Sequence, residues 1–298
     1  MTLNLHHLRV FASVAEHGGF SRAAIALRLS QPAVSKTVQE LERQVGVALF
    51  DRVARTPKLT DAGTSLLVRA RELFGVARLA EEELAALRGL DRGILRVGAS
   101  TTIATYFLPP LLAWFHAQHP GVTLRVLSAN TRAVARRLLE GRLDIALVEG
   151  PVHHERISVA AWRQDELVVI APAAHHLLRK RKVVPADLAD ETFILREPGS
   201  GTRDVAESEL ARYNVHPTAS MQLGSTEAIK QAVAAGLGLA VVSRASAADQ
   251  LALGYIAVVR LRGVTFRRDL SELQLIGRAA SPSAAAFRAL LQPATPAV

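Results

Sequence analysis

Between residues 31 and 45, four apolar side chains, Val34, Val38, Leu41 and Val45, recur at intervals of 4, 3 and 4. That spacing sets them on one stripe of an α-helix, with Gln31, Ser35, Lys36, Gln39 and Arg43 on the opposite face. Pro32 sits in the first turn, where its missing N–H costs nothing. A shorter helical pattern precedes it (Phe20, Ala23, Ala24, Leu27), ending at a turn at Leu29-Ser30. Ser21 is placed to cap that helix. Before it, Leu5, Leu8, Ala12 and Ala15, widened by Phe11 and Val14, form a first helix that Gly18-Gly19 stops. Compact helices joined by a tight turn, the last one polar on its outer face, are what placing a helix in the major groove of DNA requires.

Residues 49–60 read as a short hairpin whose tip carries Arg52, Arg55 and Lys58, a basic wing able to reach phosphates or a minor groove. A long helical run then covers residues 61–88. Its positions Leu66, Ala70, Leu73, Ala77, Ala80, Leu84 and Leu87 are separated by 4, 3, 4, 3, 4 and 3. A seam with a period of 3.5 residues predicts pairing with another copy of the chain rather than packing on its own domain alone. Residues 89–93, Gly89 to Gly93, break the helix.

Beyond that break the pattern alternates between strands and helices. Strands are predicted at 94–99, 122–128, 143–148, 167–171, 193–195, 219–223 and 238–242, with helices at 103–119, 131–140, 203–212 and 226–235. Such alternation predicts a mostly parallel α/β sheet, and about 200 residues of it predict two lobes with a cleft between them. The division is therefore 1–60 for a helix-turn-helix module, 61–90 for a linker helix and 91–298 for an α/β domain. A chain of 298 residues with 49% hydrophobic and 21% charged residues is able to build these cores.

The formal charge of +9 suits a polyanionic partner, but it is spread out. Residues 1–60 hold 8 Lys/Arg against 4 Asp/Glu, and residues 91–298 hold 24 against 18. Charge alone does not locate a nucleic-acid site. With no cysteine, disulfides and thiolate metal sites are excluded. The first residues carry no signal-peptide pattern and no stretch is apolar enough for a membrane span, so a cytoplasmic protein without membrane contact is expected.

Residues 20–63 carry a long ordered signature: Phe20 to Ala24, Leu29 to Lys36, Gln39 to Glu42, Gly46 to Arg52 and Leu59 to Gly63. They closely resemble the N-terminal module of LysR-type transcriptional regulators. The stretches Gly141 to Leu147 and Gly236 to Val242 resemble landmarks of that family's effector domain, and Ser281-Pro282 with Phe287 resembles its last helix. The resemblance implies a winged helix-turn-helix and a fold related to periplasmic binding proteins. Lobe I would span about 93–163 and 266–298, and lobe II about 164–265. It also implies a homodimer or homotetramer, double-stranded DNA with inverted half-sites as partner, a small-molecule effector, no cofactor and no enzymatic activity.

By that resemblance Gln31, Pro32, Ala33, Ser35 and Lys36 face DNA, Arg55 enters a minor groove, Arg52 is a phosphate-contacting or structural residue, and Ser21 is added as a contact residue. The chemistry fits: Gln suits an adenine edge, Pro32 and Ala33 a thymine methyl, Ser35 and Lys36 bases or phosphates. The same polar face read alone is that of any solvated helix; the surrounding signature decides.

For the effector, hydroxyl-rich helix starts at strand ends favour an anion. These are Ser100, Thr101 and Thr102; Asn130 and Thr131; Ser200, Gly201 and Thr202; and Thr226. Each alone reads sooner as a plain helix cap, and only the set together favours an anion. The run Arg196 to Arg203 resembles the branch of the family regulating carbon fixation and sulfur assimilation, where this loop borders the effector cleft. Glu149 matches a cleft position too, and either repels anions or meets a cationic part of a ligand. Arg196 either holds an anion or pairs with Glu197 or Glu149. Ligand binding is expected to shift lobe closure.

Other signals carry less. The pairs His6-His7, His153-His154 and His175-His176 lack helical spacing or acidic neighbours in sequence, so no metal is expected. The run Arg179 to Lys182 reads as a solvated loop. Gly98-Ala99-Ser100 is half of a nucleophile elbow, with Thr102 where the second glycine belongs. An α/β enzyme lacks a nucleophile–base pair. The runner-up, an extracytoplasmic solute-binding protein, has neither a secretion signal here nor a use for the N-terminal module.

Overall fold

The computed structural model describes residues 3–51, 57–86 and 93–292. The chain forms two compact units, Met1–Glu81 and Glu82–Val298.

The first unit is built on three helices, α1 (Leu5–His17), α2 (Phe20–Leu27) and α3 (Gln31–Val45). The Asn4 side chain caps α1 by accepting the His6 N–H at 2.9 Å, and Gly18 closes it at φ 66°, a left-handed value that favours glycine. Ser30 caps α3 by accepting the Ala33 N–H at 3.3 Å, with Pro32 in the first turn. Ser21 does not cap α2. The helix starts two residues earlier than a Ser21 cap requires, at Phe20, whose ring packs 5.5 Å from Phe50, and Gly19 takes the cap position. Burying that ring outweighs a hydroxyl cap.

Val34, Val38 and Leu41 of α3 are fully buried with Phe11, Val14, Ala23 and Leu49. Each such side chain contributes roughly 1.5–3 kcal/mol. Beyond α3 a two-stranded hairpin pairs β1 (Phe50–Asp51) with β2 (Lys58–Leu59), antiparallel, with Phe50 opposite Leu59. Glu42 anchors its base, accepting the N–H groups of Leu49 at 2.8 Å and Phe50 at 3.2 Å. A side chain at Gly63 would place its Cβ 2.1 Å from the Leu49 carbonyl oxygen, so the hairpin and the next helix meet where only glycine fits.

That helix, α4 (Asp61–Ala86), sends Leu67 and Ala70 into the first unit's core. Further along, Leu73, Ala77, Ala80 and Leu84 of the seven-residue seam are exposed. Leu87 lies outside the described residues.

In the second unit a parallel trio forms first: β3 (Gly93–Ser100) lies between β4 (Val122–Ala129) and β5 (Ile145–Glu149). Between β3 and β4 a π-turn, Ile103–Phe107, runs into α5 (Leu108–Gln118). Pro109 and Pro110 have no N–H to return to Thr105 and Tyr106, and the Leu108 N–H reaches back to the Ile103 carbonyl instead. α6 (Thr131–Leu139) follows β4.

The trio joins a seven-stranded sheet that is mixed, not mostly parallel. β6 (Ile157–Pro172) and β11 (Phe266–Leu275) pair antiparallel along most of their lengths, and β11 also pairs antiparallel with β5. β9 (Ala240–Ser243) and β10 (Ile256–Val258) add antiparallel to the far half of β6. The near half of β6 exposes Ser158, Ala160, Arg163 and Gln164, so only residues 167–171 showed an apolar run in the sequence. A separate parallel pair, β7 (Thr192–Arg196) and β8 (Thr218–Leu223), packs against α7 (Gly201–Ala211) and α8 (Thr226–Ala234), while α9 (Arg244–Ala252) packs on β6, β9 and β10. The last helix is α10 (Pro282–Leu291).

Two sets of cores result. Leu95, Val97, Phe115, Ile145, Leu147 and Phe287 pack around β3 and α10, while Leu167, Val169, Phe193, Leu210, Leu239 and Phe266 pack around β7 and the far half of β6. β6 and β11 are the two strands that run through both. Among the described residues, no helix is long and apolar enough to cross a membrane.

Candidate functional site

On α3 the exposed residues at the helix start are Gln31, Pro32, Ala33 and Lys36, while Ser35 is half-buried. The helix N-terminus and the Lys36 ammonium both favour a phosphate here. Ser21 is exposed on α2 and Lys58 on β2. Arg52 and Arg55 lie outside the described residues.

In the second unit the predicted effector residues collect at strand ends and helix starts, in two neighbouring clusters. The first centres on Glu149, at the end of β5 and 2% exposed. Its carboxylate accepts from the hydroxyls of Ser100 and, at 3.1 Å, Thr202, and its backbone carbonyl accepts from the Thr131 hydroxyl at 2.8 Å. Gly201 seals this junction: a Cβ there would lie 1.7 Å from the Glu149 carbonyl oxygen.

Sequence reasoning missed the cation in this cluster. Arg268, on β11 and 4% exposed, donates to Thr202 at 2.8 Å and Asp165 at 2.8 Å, and lies 3.7 Å from the Glu149 carboxylate. Asp165 in turn accepts from the Ser243 hydroxyl at 2.8 Å. The chain from Ser243 to Ser100 thus links β9, β6, β11, α7, β5 and β3. Glu149 meets the protein's own donors, and this hydroxyl cradle is already filled.

The second cluster centres on Arg196, at the end of β7 and 4% exposed. Its guanidinium donates to Thr226 at 3.1 Å, to Thr101 at 3.4 Å and twice to Glu197, at 2.8 and 3.0 Å. Partial burial pushes the Glu197 carboxyl up, but the hydrogen bonds and charge of Arg196, with help from Asn130, outweigh it and hold it below its usual range. Asn130 donates to Glu197 at 3.2 Å, and the Arg132 N–H donates to the Gly199 carbonyl at 3.2 Å. The hydroxyl of Ser200, 1% exposed, is buried and has no hydrogen-bond partner among the described residues. Thr102 is buried and joins neither cluster through a hydrogen bond among the described residues.

A third tie was also missed. Lys230, 2% exposed on α8, reaches Glu227 at 2.8 Å, Gln250 at 2.9 Å and the Tyr106 hydroxyl at 3.0 Å, from the π-turn after β3. The signal was present: Lys230 lies one turn after Thr226 on the face that buries Ile229 and Val233. Arg268 gave no comparable signal, because its partners come from distant strands.

The two clusters differ in what they offer a ligand. The first consumes its donors internally. In the second, Thr101 and Thr226 accept from Arg196 and keep their own O–H groups to give. Positive charge and hydroxyl donors favour an anion and give no base for catalysis.

Elsewhere, His175 and His176 both meet Glu191, at 3.5 and 3.0 Å, an acidic neighbour that only the fold supplies. His175 Nδ1 accepts the Leu177 N–H, which leaves the ring proton on Nε2, facing Glu191. The three side chains bring their ligand atoms within 4.8 Å of one another. Arg179 to Lys182 are exposed, with Lys180 paired to Asp187 at 3.0 Å.

Comparison with known proteins gives two family matches that together cover most of the chain. Residues 5–64 match the bacterial regulatory helix-turn-helix protein, lysR family, and residues 88–296 match the LysR substrate binding domain. A RuBisCO operon transcriptional regulator of Allochromatium vinosum is 38% identical over 288 residues, covering 97% of this chain and 95% of that protein. One from Acidithiobacillus ferrooxidans is 37% identical over 283 residues, covering 95% and 91%. Among solved structures, a full-length OxyR variant from Pseudomonas aeruginosa aligns with a TM-score of 0.77 at 27% identity, over 98% of this chain and 94% of that one. The CcmR regulatory domain of Synechocystis, in complex with 2-PG, aligns at 0.63 and 30% identity, over 67% and 96%.

Proposed function

Because this chain belongs to the LysR family of bacterial DNA-binding transcriptional regulators, which are not enzymes, we propose that it is switched by a small anion held at Arg196. The observation that carries this reading is the Arg196 guanidinium, buried among the hydroxyls of Thr101 and Thr226. The 2-PG bound to the Synechocystis CcmR domain supports the same class of ligand, a phosphorylated carboxylate. Thr101, Thr226, Ser200 and Arg196 are the ligand donors in this reading. Ser100, Thr102, Thr131, Glu149, Gly201 and Thr202 build the wall behind them, and Asn130 the rim.

The test is calorimetric titration with 2-phosphoglycolate and with inorganic phosphate. The unmodified protein binds, and Arg196→Ala weakens binding by about a hundredfold, from loss of charge-assisted hydrogen bonds of about 1.5–3 kcal/mol or more. Binding that survives Arg196→Ala refutes the assignment.

The N-terminal unit reads DNA through Gln31, Pro32, Ala33, Ser35 and Lys36, joined by Ser21 and by Arg52 and Arg55 of the wing. Domains divide as 1–60, 61–90 and 91–298, and the exposed Leu73, Ala77, Ala80 and Leu84 pair α4 with a second copy, giving a homodimer and then a homotetramer on inverted half-sites. A regulator of this kind works in the cytoplasm. Lys36→Ala weakens binding to all DNA sequences alike and makes the log-affinity against log-salt slope shallower by about 1. Gel shifts at several salt concentrations check this, and an unchanged slope takes Lys36 off the phosphate. The helix-turn-helix match leaves no support for a solute-binding protein.

A further inference from the structure

We propose that Glu197 is the built-in occupant of the anion site, so that an effector binds by exchange with it. The inference rests on the reading of Arg196 as that site and adds how the site chooses its ligand.

A guanidinium has five N–H donors in a fixed fork. Arg196 spends two on Glu197, one on Thr226 and one on Thr101. A bidentate anion cannot dock on it until a donor pair is released. Thr226 is buried and Thr101, like Glu197, is half-buried, but of the three partners Glu197 is the one with a second side-chain donor to turn to. Its carboxylate already accepts from the Asn130 amide at 3.2 Å, and Asn130 is itself fixed by accepting the Ala133 N–H at 3.0 Å. Exchange therefore moves Glu197 from Arg196 onto Asn130 and its own backbone N–H. The interlobe bond at that edge is retained while the guanidinium becomes free.

Glu197 follows Arg196 directly in the chain, so it competes at the high effective concentration of an intramolecular ligand. A monocarboxylate offers Arg196 only what Glu197 already offers, and gains nothing net. A phosphate brings extra oxygens to accept from Thr101 and Thr226, neither of which Glu197 is bonded to. Glu197 thus rejects simple carboxylates and admits phosphate esters. It is a specificity-determining residue.

The test is calorimetry on the full chain with inorganic phosphate and, separately, acetate. The variants are Glu197→Gln, Arg196→Ala and, as a charge control, Glu207→Gln, whose carboxylate pairs with Arg203 at 2.9 Å and not with Arg196. If Glu197 holds Arg196 nine-tenths of the time, Glu197→Gln binds phosphate about tenfold more tightly, and it gains measurable acetate binding. Glu207→Gln stays within about twofold, the small effect of a surface charge. Phosphate binding that Arg196→Ala abolishes but Glu197→Gln fails to tighten overturns the exchange and leaves the anion site standing. Equal tightening by Glu207→Gln also overturns it, since the field alone would then explain the gain. No phosphate binding by any form, or binding indifferent to Arg196, overturns both readings.

Discussion

Replacing Arg268 with methionine is expected to lower the stability of the effector-binding unit by about 3–5 kcal/mol. Its guanidinium is 1% exposed and lies between two carboxylates that are as deeply buried, Asp165 and Glu149. Methionine fills much of the volume but leaves both acids without their cation, and a buried charge stripped of its partner costs far more than the pair contributes when intact. The three remaining hydroxyl donors, from Ser243, Thr202 and Ser100, do not supply the missing charge. Urea unfolding checks the loss, with the slope against denaturant unchanged so that the shift reports stability alone. A second measurement separates charge from packing. Neutralising the cluster together, with Asp165→Asn and Glu149→Gln added to Arg268→Met, costs less than Arg268→Met by itself. If the triple variant is the less stable, the buried-charge account is wrong.

Gly201→Ala is expected to be the most disruptive small substitution in the same unit. The added Cβ would stand 1.7 Å from the Glu149 carbonyl oxygen and 2.8 Å from the Thr131 hydroxyl, inside backbone that no rotamer change relieves. Gly150, opposite it, would bring its own Cβ to 2.7 Å from the Gly201 Cα, so the two chains touch where neither carries a side chain. Overpacking costs typically about 1–3 kcal/mol, and a clash with backbone belongs at or above the upper end. The start of α7 must move away from β5, which breaks the Thr202–Glu149 bond. The expected result is a lower melting temperature and loss of the phosphate response, with binding of the N-terminal unit to DNA retained. A variant that melts like the parent and still binds phosphate would mean that the close approach is not required.

The sequence and the tertiary structure answer different parts of the question, and the division follows the range of the interactions. A helical stripe is local, so Val34, Val38 and Leu41 and the polar side beginning at Gln31 were legible from spacing alone. So was the seam on α4, whose far half the structure leaves exposed. Helix starts were legible for the same reason: Asn130 and Thr131, Ser200 to Thr202, and Thr226 all open helices at strand ends. Where local rules compete they mislead, as at Ser21, where burial of Phe20 set the start of α2.

What local pattern could not carry was which of those starts face one another. Strand β6 was read at under half its length, because its near half is solvent-facing and looks like loop. β11 has no apolar run to mark it as a strand, and Arg268 lies on it. Glu149 was left between two roles that depend on its neighbours, and the fold decided by surrounding it with donors from β3, α7 and β11. Arg196 was left between an anion and Glu197, and in the structure it holds Glu197. A side chain's charge and spacing are properties of the chain, but whether that charge is free or already spent depends on partners tens of residues away, and only packing sets those.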